Sequence, residues 1–321
     1  MKRTQNLVAE SRFTLPVVMA YAIAIWLASG MLIPSVPITF AELTRGAWGQ
    51  FVCFLVSAHL LAELNNSNAL LRIYSRTVSS SFVVLLCAGS FLFKPMGGSI
   101  VQLCIIVFFL MFFRAYQDKR STGWTFYAFL FIGLSSAIFI QVLFFVPFLW
   151  AMMFYLLTSL SRRTFFASII GLLTPYWFAL PVFLFQGNFD VLQAHVLGIF
   201  DFPLPDYAQL TVNQVLLFVL VVALGITGTV HYLRRQTADS VRVRLLFRIL
   251  IYMWAISAVF LLLQPQHYDA LIRILIISMS PLIAHYLSLT HTRITNISFF
   301  VICTVCVLLA LLNLWMPSLS F

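Results

Sequence analysis

TVNQVLLFVLVVALGITGTVHY, residues 211–232, contains no Asp, Glu, Lys or Arg. An apolar run of ~20 residues can satisfy its backbone hydrogen bonds internally as a helix and is long enough to cross the ~30 Å hydrocarbon core of a bilayer. It is followed by RRQTADSVRVRLLFR, residues 234–248, with five Arg and one Asp. It is preceded by QGNFDVLQAHVLGIFDFPLPDYAQL, residues 186–210, with three Asp, one His and neither Lys nor Arg. An apolar run between an acidic loop and a basic one reads as a single crossing, with the basic side in the cytoplasm.

The same alternation extends along the chain in both directions. The 321 residues are 62% hydrophobic and 9% charged, with mean hydropathy +1.01, where a soluble domain carries ~25% charged residues. Hydrophobic periodicity and length predict eleven spans, at about 14–34, 48–64, 79–93, 99–116, 124–141, 142–160, 165–185, 211–232, 249–263, 270–288 and 297–316. The fold class expected is therefore all-α, a polytopic transmembrane helix bundle forming one membrane domain over residues 1–321. Met1-Lys2-Arg3 and Arg12 precede the first run, which is too long for a signal h-region and lacks a small-residue cleavage site. It reads as a retained span.

Charge sorting tests the count. With the amino terminus cytoplasmic, sixteen of the 19 basic residues fall on the inner side and only Arg45, Lys94 and Arg273 on the outer side. This predicts eleven crossings with the carboxyl terminus extracytoplasmic. The net charge of +10 is accounted for by these loops, with Arg234, Arg235, Arg242 and Arg244 meeting anionic lipid headgroups. No aromatic-basic motif supports nucleic-acid binding.

Chemistry is sought first on the outer surface. Glu42 and Arg45 follow the first span. Asp190, His195, Asp201 and Asp206 lie in the long loop, where Phe189, Leu192, Val196 and Phe200 recur at helical spacing, as in a short helix lying in the interface. Phe202-Pro203-Leu204-Pro205 sets a bend before Asp206. His267, Asp269 and Arg273 stand where the ninth span turns into the tenth. Asp269 and Arg273 are i, i+4 neighbours, and a charge about a turn inside a span faces protein or water. A carboxylate here would be a base, and an Arg would hold a phosphate; solvated loop polarity is the plainer alternative. His59 and Glu63 form a second i, i+4 pair, read as an interfacial pair more readily than as a proton relay. The seventh span carries Pro175 and Pro181, which kink helices.

Cys53, Cys87, Cys104, Cys303 and Cys306 all lie in apolar runs and read as small packing residues, without a metal site. No cofactor is expected: P-loop, GxSxG, HExxH and dinucleotide-binding fingerprints are all missing.

Residues 129–178, FLFIGLSSAIFIQVLFFVPFLWAMMFYLLTSLSRRTFFASIIGLLTPYWF, with LNNSNALLRIYSRT at 64–77, resemble an uncharacterised family of bacterial multispanning inner-membrane proteins. The resemblance implies the bacterial inner membrane and supplies no catalytic residues. In layout alone the chain is also similar to membrane glycosyltransferases that use polyprenyl-phosphate-linked sugars. That similarity implies an outer-face acid soon after the first span, a place only Glu42 can take. In those enzymes the first outer loop is long and carries an acidic motif, whereas here it is short. The expected activities are thus glycosyl transfer at the extracytoplasmic face with Glu42 or Asp190 as base, transport or flipping of a lipid or small solute, or membrane assembly.

Overall fold

The computed structural model describes residues 4–32, 40–93, 96–187 and 189–315, with backbone only between 30 and 47. Every element among them is helical. In chain order they are α1 (Thr4–Glu10), α2 (Thr14–Leu32), α3 (Phe40–Asn68), α4 (Thr77–Ala88), α5 (Met96–Phe112), α6 (Thr122–Ser136), α7 (Val146–Tyr155), α8 (Arg162–Phe185), α9 (Phe189–Leu197), α10 (Val212–Arg235), α11 (Val241–Leu263), α12 (Tyr268–Ser288) and α13 (Arg293–Trp315), with short 3-10 turns between several of them. Packing divides the chain into two compact units, one of Met1–Ser99 with Asp206–Phe321, the other of Ile100–Pro205.

Among the described residues, six stretches are long and apolar enough to cross a membrane: Met96–Ala115, Arg162–Phe185, Val212–Ala238, Val241–Leu263, Pro265–Ser288 and Arg293–Trp315. A seventh is possible if α1 and α2, bent by 90° at their junction, count as one broken span. These coincide with expected spans. The remaining expectations differ in detail. α3 has 29 residues and contains the expected span 48–64 within it. The expected span at 79–93 is a 12-residue helix, α4. At ~1.5 Å per residue it covers ~18 Å, well short of the hydrocarbon core. It stops at Gly89, whose N–H turns back to the Leu86 carbonyl at 3.1 Å. The expected pair 124–141 and 142–160 is broken: α6 ends at Ser136, a 3-10 turn covers Ile140–Phe145, and Pro147 opens the 10-residue α7. The basic stretch 234–248 is not all loop. Ser240 caps α11 by accepting from the Val243 N–H, so Arg242, Arg244 and Arg248 stand on the helix.

In the first unit α12 is the core. Each of its residues except Asp269 and Tyr286 is buried, and α1, α4, α10 and α11 pack around it. An apolar helix can face lipid as well as protein; what marks α12 is that IRILIISMSPLIA mixes Arg273, Ser278 and Ser280 into an apolar run, polar groups that are buried here with partners on the helix itself. Its last carbonyls are completed by α1: Gln5 donates to the Leu287 carbonyl and, at 3.0 Å, to Thr290, and Asn6 donates to the Thr290 carbonyl at 3.0 Å. Helix ends leave such carbonyls unpaired unless side chains reach them. Gly228 lets α10 approach the α12 backbone, since a Cβ there would lie 2.9 Å from the Leu282 carbonyl carbon.

In the second unit α6 and α8 pack closely. A Cβ on Gly133 would lie 2.6 Å from the Leu172 carbonyl oxygen, and one on Gly171 would lie 2.5 Å from that of Phe126. Small residues at facing positions let backbones meet in this way. Trp150 donates to the Ser168 hydroxyl at 3.0 Å, fixing α7 on α8.

Candidate functional site

The anticipated outer residues occupy separate, local settings. Arg273, 1% exposed, binds Asp269 Oδ1 through Nε at 3.2 Å and Nη2 at 3.1 Å, and Nη2 also donates to the Leu92 carbonyl. The start of α5 lies against this pair: a Cβ on Gly98 would come within 1.9 Å of Asp269 Oδ2 and 2.7 Å of Arg273 Nε. Tyr268 donates to the Gln214 carbonyl at 2.7 Å. A guanidinium so enclosed is spent on its own carboxylate and carbonyl, and this end of α12 is therefore a packed ion pair.

Asp206 caps a 3-10 turn, accepting from the Ala208 N–H at 3.1 Å and the Gln209 amide at 2.9 Å. Tyr207 beside it donates to the Leu262 carbonyl at 2.7 Å. His195 lies 3.0 Å from the Ser136 carbonyl and so carries its proton on Nε2. Asp190 is in the first turn of α9 and is exposed, as is Asp201. The stretch Phe189 to Phe200 is helical, as α9 and the following turn, with no buried residue. His267 sits in the turn that opens α12. His59 and Glu63 are both exposed on α3. The side chains of Glu42 and Arg45 lie outside the described residues. Of the anticipated set, the described contacts join only Asp269 to Arg273. No group of three His, Cys, Asp or Glu suited to a metal occurs among the described residues.

A different cluster gathers at the other end of α12. Asp239, its side chain shut off from solvent, lies in the α10–α11 connection. One oxygen meets Arg72 Nε at 2.7 Å and the other meets His285 Nε2 at 3.3 Å. Arg72 comes from the segment after α3 and is 43% exposed, while His285 is fully buried in α12. The His231 ring of α10 is 5.6 Å from that of His285. Tyr232 stacks on Phe247 at 4.3 Å and meets His285 edge-on at 5.1 Å. Carboxylates only accept, so His285 must donate from Nε2, leaving Nδ1 as the basic nitrogen. Among the described residues, His285 Nδ1, His231 Nε2 and the Tyr232 hydroxyl have no hydrogen-bond partner. Sequence reading passed over this cluster. Two signals were present: Asp239 is the lone acid among five arginines, and His285 is an ionisable residue inside an apolar span, which by default marks function.

Between α1, α2, α4, α12 and α13 lies a cavity of about 210 Å³. Val18, Val84, Leu85, Ile283, Phe299 and Cys303 are among its lining residues, and its wall is apolar. An apolar cavity of ~150 Å³ stays dry and takes benzene. This one is larger and accepts several methylenes of a hydrocarbon chain. The cavity and the charged cluster share α12: Ile283 and Leu287 line the cavity, and His285 stands between them in sequence. Two residues along a helix is a turn of ~200°, so they occupy opposite faces.

No family model, no curated protein and no solved structure matches this chain. The several long apolar helices are those of a multi-pass membrane protein, and the site must speak for itself beyond that.

Proposed function

We propose that the protein binds the hydrocarbon chain of a membrane lipid in the cavity between α1, α2, α4, α12 and α13 and acts as a lipid transporter or flippase of the bacterial inner membrane. The observation that carries this reading is the cavity, whose exposed wall surface is apolar although Gln5, Thr14, Thr77, Ser80 and Ser81 stand behind it, and which is too large to be left empty without cost. A small polar solute would leave its hydrogen bonds unmade there. The reading includes a cytoplasmic amino terminus, an extracytoplasmic carboxyl terminus and eleven crossings. Its support is the sorting of sixteen basic residues against three; four of the crossings would be made by α3, α4, α6 and α7, of which the last three are short. On this topology the Asp239 end of α12 faces the cytosol, with anionic headgroups at Arg234, Arg235, Arg242 and Arg244.

The test is to purify the full chain in mild detergent and identify retained lipid by native mass spectrometry. Val84→Phe, which fills the cavity from α4, should lower retained lipid while the protein stays folded. Scrambling of a fluorescent lipid in proteoliposomes should fall in parallel. Absence of retained lipid, or unchanged retention in Val84→Phe, would remove the reading.

The same wall also suits an isoprenoid chain, which keeps glycosyl transfer from a polyprenyl-phosphate-linked sugar as a second reading, with Glu42 or Asp190 as base. Glu42→Gln and Asp190→Asn separate the two. Both should leave scrambling intact, and loss of sugar transfer in either would favour the enzyme.

A further inference from the structure

We propose that His285 and His231 form a buried proton-binding pair, with Asp239 as the counter-ion they share with Arg72, and that occupancy of the lipid cavity is linked to pH through α12. The lipid half of this proposal rests on the reading of the cavity given above; the proton half stands on the cluster alone.

The geometry supplies each part. Asp239 has no exposed side-chain surface and must be neutralised by neighbours. Arg72 does this permanently from one side and His285 lies on the other. With Nε2 donating to Asp239, His285 keeps Nδ1 free to accept a proton, and no described residue occupies that nitrogen. His231, 5.6 Å away between ring centres, has an equally vacant Nε2. Two imidazolium ions that close repel, so the pair takes up one proton as a unit.

The charges facing the pair come from each element around it. α10 brings His231, Tyr232 and Arg235; α11 brings Arg244 and Arg248, which act on the neighbouring Tyr232; the segment before α4 brings Arg72; α12 itself adds Tyr286, whose ring is 5.2 Å from His231. Asp239 is the one anion among them. Its distance from the rings therefore decides whether a proton is held. α12 carries His285 on one face and the cavity-lining Ile283 and Leu287 on the other. Arg72 is five residues before Thr77, another cavity-lining residue. A chain entering the cavity and displacing α12 would change the spacing of His285 from Asp239, and the proton would follow. By linkage, proton binding must alter lipid affinity by the same factor.

The experiment uses the full chain in lipid nanodiscs with isotope-labelled histidine rings, His231→Gln and His285→Gln identifying the two signals. The expected result is uptake of one proton by the two rings together as the pH is lowered. Asp239→Asn should abolish the uptake and Asp239→Glu should restore it. If Asp239→Asn fails to fold, Arg72→Gln removes the competing cation and should raise proton occupancy at neutral pH. Rings that stay in one protonation state throughout, or uptake indifferent to both substitutions, would overturn the proton site. In the second arm, lipid retained on native mass spectrometry should change by on the order of 10-fold across that proton uptake, and should not change in His285→Gln. Equal retention at every pH would overturn the linkage. A protein that retains no lipid at all would sink the cavity reading, and the ring titration would still judge the proton site.

Discussion

The two ends of α12 each carry a buried charge, and they are built differently. At the Tyr268 end, Arg273 and Asp269 are four residues apart on one helix, and the backbone alone brings them together. At the Ser288 end, Asp239, His285 and Arg72 come from three separate parts of the chain. The first pair is closed on the arginine side: Leu92 takes another donor of the buried guanidinium, and Gly98 packs against a carboxylate that stays partly exposed. The second is left open, with ring nitrogens unspent and Arg72 half in solvent. A charge that only has to be neutralised is best neutralised locally. A charge that has to respond must be held by elements able to move apart.

The largest effect should come from breaking the closed pair. Arg273→Ala empties a fully buried site and leaves Asp269, 35% exposed, without its cation; because water can partly solvate that carboxylate, the cost should be about 2–3 kcal/mol, below that of a pair buried on both sides, read as a lowered unfolding temperature in detergent. Gly98→Ala should act in the same direction, because the added carbon meets Asp269. Replacing both charges together, Asp269→Leu with Arg273→Met, should recover most of that loss. Failure to recover would mean that the pair has a task beyond neutralising itself.

Asp239→Asn should cost less, about 1–3 kcal/mol, because Arg72 can turn to water. Raising salt should change neither the Arg72–Asp239 tie nor the Arg273–Asp269 pair by much, since each has one fully buried partner and only exposed pairs are well screened. The smallest effect is expected from Asp206→Ala, about 1 kcal/mol from loss of a turn cap, with no change in lipid retention.

This contrast also explains what was legible beforehand. α8, α10, α12 and α13 could be read because each is a long apolar run closed by polar residues, and the Asp269–Arg273 pair because helical spacing is a local property. The short helices were not legible as such. Nothing in SSSFVVLLCAG says that α4 stops at Gly89 rather than continuing to Phe93, since Gly89 is set by the approach of Leu217, whose Cδ2 would lie 2.6 Å from a Cβ there. The stretch 234–248 looked like lipid-facing loop because arginine count dominates there. The helical start at Val241 rested on one serine cap. The Asp239 cluster was hidden because its carboxylate and His285 are 46 residues apart, and only tertiary packing of α10, α11 and α12 joins them. The outer-loop carboxylates drew notice through composition, yet Asp206 is spent on its own turn.

The glycines that let α6 and α8 touch backbone to backbone have a mechanical consequence. Because Gly133 faces the Leu172 carbonyl and Gly171 faces that of Phe126, sliding either helix by a single turn would drive bulkier side chains into peptide oxygens. The two are locked in register and can tilt only as one stiff lever, so whatever rearrangement accompanies a working cycle must bend at the connections of this pair and not along its seam.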